Sequence, residues 1–228
     1  MPLASWPRRI MALKLVDLHT HSIFSDGELI PFELARRLEV LGYGAVAITD
    51  HADTSNLEYI ISNLSKAAND WNKIKKNIKI ITGVELTHIP PGLIAPLAKK
   101  ARSLGAKVIV VHGETLVEPV APGTNLAALQ ADIDILAHPG LITEKEVKLA
   151  KKQGIYLEIS GRTGHSLSNG HIAKLAKKIG AKLVLSSDGH APGDFMDEKI
   201  AKSVALGAGL TKNDFTEMLK NAWEILKR

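Results

Sequence analysis

The sequence of 228 residues contains no cysteine. Disulfide bonds, thiolate nucleophiles and cysteine-bound zinc are therefore excluded, and any metal ion must be held by histidine and carboxylate side chains. Zinc, manganese and iron ions accept that set of ligands. If the protein has a metal centre, we expect it to contain divalent ions of this kind.

Long apolar runs are also missing. No stretch approaches the roughly 20 apolar residues that a membrane-spanning helix needs, and residues 1–13 lack the continuous apolar segment of a signal peptide. We therefore expect a cytoplasmic protein without a membrane partner. Residues 1–13 are interpreted as an N-terminal extension, a candidate for disorder, and residues 14–228 as one domain that includes a C-terminal helix.

The excess of basic residues is small, with a formal net charge of +5. The basic residues form separate groups at 99–102, 148–152 and 174–178, each on a predicted helix of its own. Solvated outer helix faces explain such groups better than a nucleic-acid track does, so a nucleic-acid partner is not favoured. The length and a hydrophobic content of 45% predict one large α/β domain.

What the sequence does contain is a regular alternation of two kinds of segment. Short strand-like runs lie near residues 15–20, 45–49, 78–84, 107–111, 134–137, 155–159 and 183–186. Segments with helical periodicity separate them, and several end at a glycine just before the next run, as in LGAKVIV and IGAKLVL. This alternation predicts repeated βα units and a parallel sheet.

Residues of the types that bind metal stand at the ends of six of these runs. They are His19 with His21, Asp50 with His51, Glu85, His112, His138, and Asp188 with His190. Because the first and last strands both carry such residues, we predict a closed barrel of seven parallel strands, similar to the eight-stranded (β/α) barrel. An open, doubly wound sheet is the alternative. In both folds, functional residues collect at the carboxyl ends of the strands.

Each of these positions also has a plain structural explanation. His19 and His21 point to the same side of an extended chain, but one such pair alone is more typical of surface or hydrogen-bonded histidines. His112 and His138 can be core histidines, although a glycine soon after each suits a turn at the mouth of a site. Glu85 follows a buried strand, where a carboxylate needs a cationic partner, and its two oxygens suit a bridge between two ions.

The order of the motifs is more specific than any one of them. HTH with SDG, then ITDH, GVE, VHG, AHPG and SDGH follow one another between residues 14 and 200. In this the chain resembles the PHP (polymerase and histidinol phosphatase) family of metal-dependent phosphoesterases. The resemblance implies a distorted seven-stranded barrel with a trinuclear metal centre at its carboxyl face.

The resemblance also implies a distribution of ligands. It would place His19, His21, Glu85 and Asp188 on one ion, with Glu85 bridging to a second ion held by His112 and His138, and with Asp26, His51 and His190 on a third. Asp26 stands where some members have histidine, and it precedes a glycine, so a turn residue is the alternative. Asp50 lies outside this set, and we expect it to orient a neighbouring histidine or to cap a turn.

Two or three clustered divalent ions would polarise a phosphoryl oxygen and lower the pKa of bound water, which supplies a hydroxide nucleophile. Arg162, in the loop after the sixth strand, is a candidate for clamping a phosphate group, with a surface arginine as the alternative. His165 in the same loop is a candidate for protonating the leaving group, and His88 is its competitor.

We therefore expect an enzyme that hydrolyses the phosphate monoester of a small metabolite, with histidinol phosphate as the substrate that the resemblance suggests. A phosphodiesterase or exonuclease that acts on nucleic acid or nucleotides is the second hypothesis. A non-catalytic, RNA-binding barrel, as in a distantly related component of archaeal ribonuclease P, is the third. The complete set of ligand-type residues favours the first.

Overall fold

The computed structural model describes residues 13–74 and 77–227. The predicted N-terminal extension lies outside the described residues, apart from Leu13. Strands and helices alternate along the chain, as predicted. None of the helices in the described ranges is both long enough and apolar enough to span a membrane.

The strands lie close to their predicted positions. They are β1 (Val16–Asp17), β2 (Ala45–Ile48), β3 (His51–Ala52), β4 (Lys79–Leu86), β5 (Val108–His112), β6 (Ile135–Ala137), β7 (Tyr156–Ser160) and β8 (Leu183–Ser186). The helices are α1 (Pro31–Val40), α2 (Leu57–Ile74), α3 (Pro91–Ser103), α4 (Thr124–Ala128), α5 (Glu144–Gln153), α6 (Asn169–Ile179), α7 (Glu198–Gly207) and α8 (Lys212–Ile225). Capping boxes at Thr143 and Thr211 begin α5 and α8.

All strand pairs are parallel, and the order is β1-β2-β4-β5-β6-β7-β8. The short β3 also pairs with β4, and it continues the line of β2 after a break at Thr49 and Asp50. The described residues therefore form seven strand positions in a nearly closed barrel. The predicted α/β barrel is confirmed, and the open, doubly wound alternative is wrong.

The seam between the first and last strands is held by backbone hydrogen bonds. Asp188 N–H donates to the carbonyl of His19 at 3.0 Å, and His21 N–H donates to the carbonyl of Gly189 at 2.9 Å. The ladder between β1 and β2 covers only Val16 and Asp17 and is shorter than the predicted strand over 15–20, although Thr49 N–H also donates to the carbonyl of Thr20.

Side chains alternate along each strand between two apolar layers. Val108 and Val110 belong to the cluster inside the barrel, whereas Ile109 and Val111 pack in the larger cluster between the sheet and the helices. Because successive side chains point to opposite faces, the residue that follows Val110 on the inner side is His112. Because of this alternation, ligand-type residues such as His112 point into the barrel at its carboxyl end.

Candidate metal centre

A cleft of about 420 Å³ opens at the carboxyl ends of the strands. It is lined by nine of the positions predicted from sequence as ligands or catalytic residues, namely Asp26, His51, His88, His112, His138, Arg162, His165, Asp188 and His190. The other three, His19, His21 and Glu85, are fully buried and contact these residues. The structure thus brings the predicted site residues together around one cleft.

The deepest group consists of His19, His21, Glu85 and Asp188. His19 Nε2 lies 3.3 Å from Glu85 Oε1, and His21 Nε2 lies 3.3 Å from Asp188 Oδ1. His19 also approaches Asp188 at 3.7 Å. Burial lowers the pKa of His21 to about 3, so its ring is neutral at neutral pH and has a free lone pair.

Several buried polar atoms of this group and of the neighbouring His138 have no hydrogen-bond partner. They are His19 Nε2, both ring nitrogens of His21, Glu85 Oε1 and His138 Nδ1. Unsatisfied buried groups are costly and rare in folded proteins. Ligand atoms that surround a tetrahedral zinc ion with bonds of 2.0–2.1 Å are about 3.3 Å apart. These atoms therefore fit a bound metal ion better than they fit direct hydrogen bonds to one another.

A second group lies beside the first and includes His112 and His138. His138 Nε2 is 3.6 Å from Glu85 Oε1, so Glu85 contacts both groups. Ligand atoms of His112, His138 and His165 lie within 4.8 Å of one another. His138 has a φ angle of 27°, in a region that non-glycine residues rarely adopt. Such strain persists only where the surrounding structure enforces it, and it is frequent at functional sites.

A third group is nearer to solvent and surrounds Asp26. The carboxylate of Asp26 lies 3.5 Å from His51 Nε2 and 3.3 Å from His190 Nε2, with His21 Nδ1 at 4.0 Å. Although burial opposes it, hydrogen bonding from His190 and His51 holds the pKa of Asp26 well below its ordinary value. The side chain of Asp26 is 55% exposed, which leaves this group open to the cleft.

Within the described residues, the carboxylate of Asp50 forms no hydrogen bond with a histidine side chain. Its carboxylate accepts hydrogen bonds from the backbone and hydroxyl groups of Ser22 and Ser25, at 2.7–3.1 Å. Of the two predicted roles, the structure therefore matches the capping of a turn. This turn carries the chain from His21 to Asp26.

The loops beyond β4 and β7 carry the three candidate catalytic residues. Arg162 Nη1 lies 2.8 Å from His190 Nδ1 and 3.2 Å from the carbonyl oxygen of Asp188. His165 stacks on His138 with ring centroids 4.0 Å apart, and burial together with His138 lowers its pKa to about 4. His88 is more exposed and lies at the rim of the cleft.

Two glutamates of the site were not predicted from the sequence. Glu158 is fully buried in β7, and its Oε1 lies 2.8 Å from His19 Nδ1. The signal for Glu158 was present, because an acidic residue in the middle of YLEIS has no solvent to face. Glu118 lies in the loop between β5 and α4 and contacts His88, His112 and His165. No periodic pattern marks a residue in such a loop.

Comparison with known proteins identifies relatives over most of the chain. The PHP domain family model matches residues 17–178. An uncharacterized protein of Methanocaldococcus jannaschii is 49% identical over 93% of this chain and 98% of its own length. A probable phosphatase of Thermoanaerobacter sp. (strain X514) is 28% identical, over 88% of this chain and 89% of its own. The DNA polymerase/3'-5' exonuclease PolX of Bacillus subtilis is 26% identical over 93% of this chain, which corresponds to 41% of that protein.

Solved structures share the fold at low sequence identity. Histidinol phosphate phosphatase of Lactococcus lactis, in complex with zinc, L-histidinol and phosphate, is 18% identical and has a TM-score of 0.62, covering 87% of this chain and 95% of that one. A chain of archaeal ribonuclease P with mature tRNA is 17% identical and has a TM-score of 0.68, covering 92% and 90%. The family match spans more than half of the sequence, and the chain therefore belongs to the PHP domain family and is a metal-dependent phosphoesterase.

Proposed function

We propose that this phosphoesterase hydrolyses the phosphate monoester of a small metabolite. The proposal depends mainly on one observation. Three groups of ligand-type residues lie around one cleft, and they include buried ring nitrogens and a carboxylate oxygen that have no hydrogen-bond partner. A cleft of about 420 Å³ suits a small ester better than a polymer. The similarity to a probable phosphatase and the fold shared with a histidinol phosphate phosphatase also support the proposal.

In this proposal, nine residues hold two or three divalent ions. His19, His21, Glu85 and Asp188 hold one, Glu85 with His112 and His138 holds a second, and Asp26, His51 and His190 hold a third. Zinc, manganese and iron are the candidates, because imidazole and carboxylate ligands suit all three. When bound, such ions polarise a phosphoryl oxygen and lower the pKa of a bound water molecule, so no nucleophile from the protein is needed.

We assign to Arg162 the binding of the phosphate group. Its guanidinium lies at the cleft beside Asp188 and His190, and it donates in a planar fork that matches two phosphate oxygens. Proton donation to the leaving group is assigned to His165 or His88. The lowered pKa of His165 leaves its ring neutral at neutral pH and so favours His88 for this step.

A phosphodiesterase or exonuclease remains the second candidate, supported by the similarity to PolX. A panel of small phosphomonoesters and single-stranded DNA and RNA, tested with one metal-loaded preparation, separates the two. Release of inorganic phosphate from a monoester, with the polymers left intact, is the expected result. Nucleotide release from the polymers with no monoester hydrolysed would overturn the proposal in favour of the second candidate.

The third candidate, a non-catalytic barrel that binds RNA, has the fold shared with a ribonuclease P chain in its favour. It predicts salt-dependent RNA binding that survives removal of metal, together with no hydrolysis of any ester. The same preparation tests it, since RNA binding by chelated protein can be measured beside the hydrolysis panel.

A further inference from the structure

The loop over residues 113–123 is fastened at both of its ends. The carboxylate of Glu114 accepts hydrogen bonds from Gly123 N–H at 3.0 Å and from Asn125 N–H at 2.9 Å. Asn125 in turn accepts from Glu114 N–H and donates to the carbonyl oxygen of Pro139, next to His138. The base of the loop is thus tied to the segment that carries His138, and its middle crosses the cleft.

Glu118 is the residue of this loop that lines the cleft. Its carboxylate oxygens lie 3.1 Å from His112 Nε2, 3.2 Å from His88 Nε2 and 3.3 Å from His165 Nε2. The three rings come from the ends of different elements, and Glu118 is the carboxylate on which they converge. Ligand atoms of Glu118, His112 and His88 lie within 4.8 Å of one another, so the group around Glu118 shares His112 with the group formed by His112 and His138.

The two ring nitrogens of His112 face different groups. His112 Nδ1 lies 3.2 Å from the carbonyl oxygen of Gly113, which can accept a hydrogen bond from it, and Nε2 is directed toward Glu118. A lone pair and a carboxylate oxygen repel each other unless a proton or a cation lies between them. Their separation of 3.1 Å is close to the distance of about 3.3 Å between two ligands of one zinc ion.

We propose that Glu118 is an additional, displaceable carboxylate ligand of the metal ion held by His112 and His138. This inference rests on the proposed function and extends its set of nine ligands by one. Glu118 would raise the ligands of that ion from three, Glu85, His112 and His138, to four, the usual number for zinc. A catalytic ion would need an open position, so Glu118 would have to move away when a phosphate ester binds.

The exposure of the loop is consistent with such an exchange. The side chain of Glu118 is 37% exposed, whereas those of Glu85 and Asp188 are at most 3% exposed. Leu116 and Val117 beside it are about half exposed, so moving this part of the loop uncovers little apolar surface. Glu118 can therefore leave the ion while the deeply buried ligands stay in place.

The test compares Glu118→Gln with wild type and with Glu217→Gln, a control on the exposed face of α8 and outside the cleft. Each protein is loaded with cobalt(II) and dialysed against graded chelator, and retained metal is measured by elemental analysis beside the cobalt absorption spectrum. We expect Glu118→Gln to bind one ion at least about tenfold more weakly, with an altered spectrum. We also expect inorganic phosphate to bind this variant severalfold more tightly, because it displaces no carboxylate.

Equal metal retention, equal spectra and equal phosphate affinity in all three proteins would overturn the inference. If wild type nevertheless holds its ions and hydrolyses phosphomonoesters, only the role of Glu118 fails and the proposed function stands. If wild type retains no ion, the inference and the proposed function fail together. Circular dichroism of each variant shows that a difference in metal binding does not come from a loss of fold.

Discussion

The Nδ1 atom of His19 lies 2.8 Å from Oε1 of Glu158, and both side chains are fully buried. The other oxygen of Glu158 accepts a hydrogen bond from His138 N–H at 3.2 Å. One carboxylate therefore orients the ring of His19 and holds the backbone of His138. With Nδ1 bound to Glu158, His19 directs Nε2 toward Glu85 and Asp188, as a metal-binding imidazole requires.

Changing Glu158 should weaken metal binding without removing a metal ligand. We expect Glu158→Ala to lower metal affinity by roughly 10- to 100-fold, the usual cost of losing such a supporting carboxylate. Glu158→Gln should lose less, because its amide oxygen can still accept from His19. Metal titration of both variants beside Glu217→Gln measures the effect. An unchanged affinity in Glu158→Ala would show that His19 needs no orienting partner.

Asp17 should make the stability of the metal-free protein depend on pH. Burial raises the pKa of Asp17 to about 6, although Ser187 N–H donates to its carboxylate across the barrel seam. Since the folded pKa lies above the unfolded value of 3.8, the folded state favours the protonated form. The resulting stability is present at low pH and is lost as pH rises through about 6.

Asp17→Asn should remove this dependence, because its amide is neutral at every pH and can still accept from Ser187. Relative to the variant, wild type should lose about 2 kcal/mol in the free energy of unfolding between pH 4 and pH 7. Urea unfolding of both chelated proteins at several pH values measures the difference. Parallel stability curves over this range would contradict the raised pKa of Asp17.

Arg162 should be needed for binding phosphate and should not be replaceable by lysine. We expect Arg162→Ala to lower kcat/KM by about 10- to 100-fold, the equivalent of one charge-assisted bidentate contact. Arg162→Lys should recover little of this loss, because an ammonium group cannot form the planar fork. The inhibition constant for inorganic phosphate should rise in parallel. Wild-type kinetics in Arg162→Lys would mean that Arg162 acts only as a point charge or not at all.

Removal of metal should lower thermal stability, because it leaves buried ring nitrogens and one oxygen of the Glu85 carboxylate without partners. An ion present at 100 times its dissociation constant stabilises the folded state by about 2.7 kcal/mol. We expect chelation to lower Tm and added zinc to restore it in a concentration-dependent way. The double variant His112→Ala/His138→Ala should respond less. A Tm that is insensitive to both treatments would argue against a bound ion.

The fold and most of the cleft were accessible from sequence because both depend on local patterns. The strand runs are short and apolar, and ligand-type residues such as His112 and Asp188 follow them directly. The contact between the first and last strands was also predictable, because the ligand-type residues on both strands must lie close together to form one site. The lengths of the ladders could not be predicted, since the ladder of β1 stops at Asp17 although the predicted strand continues to residue 20.

The roles of Asp50, Glu118 and Glu158 required three-dimensional information. Asp50 follows β2 just as the ligand-type residues follow their strands, yet it accepts hydrogen bonds from two serines of a turn. Glu118 reaches three histidines only because the loop crosses the cleft, and loop paths leave no periodic signal. Glu158 pairs with a histidine 139 positions away, and such a contact depends on barrel closure.

We propose that divalent ions held by the histidine and carboxylate side chains of the cleft are required for hydrolysis of a small phosphomonoester. The most direct measurement adds zinc, manganese or iron stepwise to chelated protein and follows, in the same sample, ions bound per chain and phosphate released. We predict two or three ions per chain, no release from metal-free protein, and release that rises as the sites fill. A preparation with filled sites that releases no phosphate from any monoester of a broad panel would contradict it.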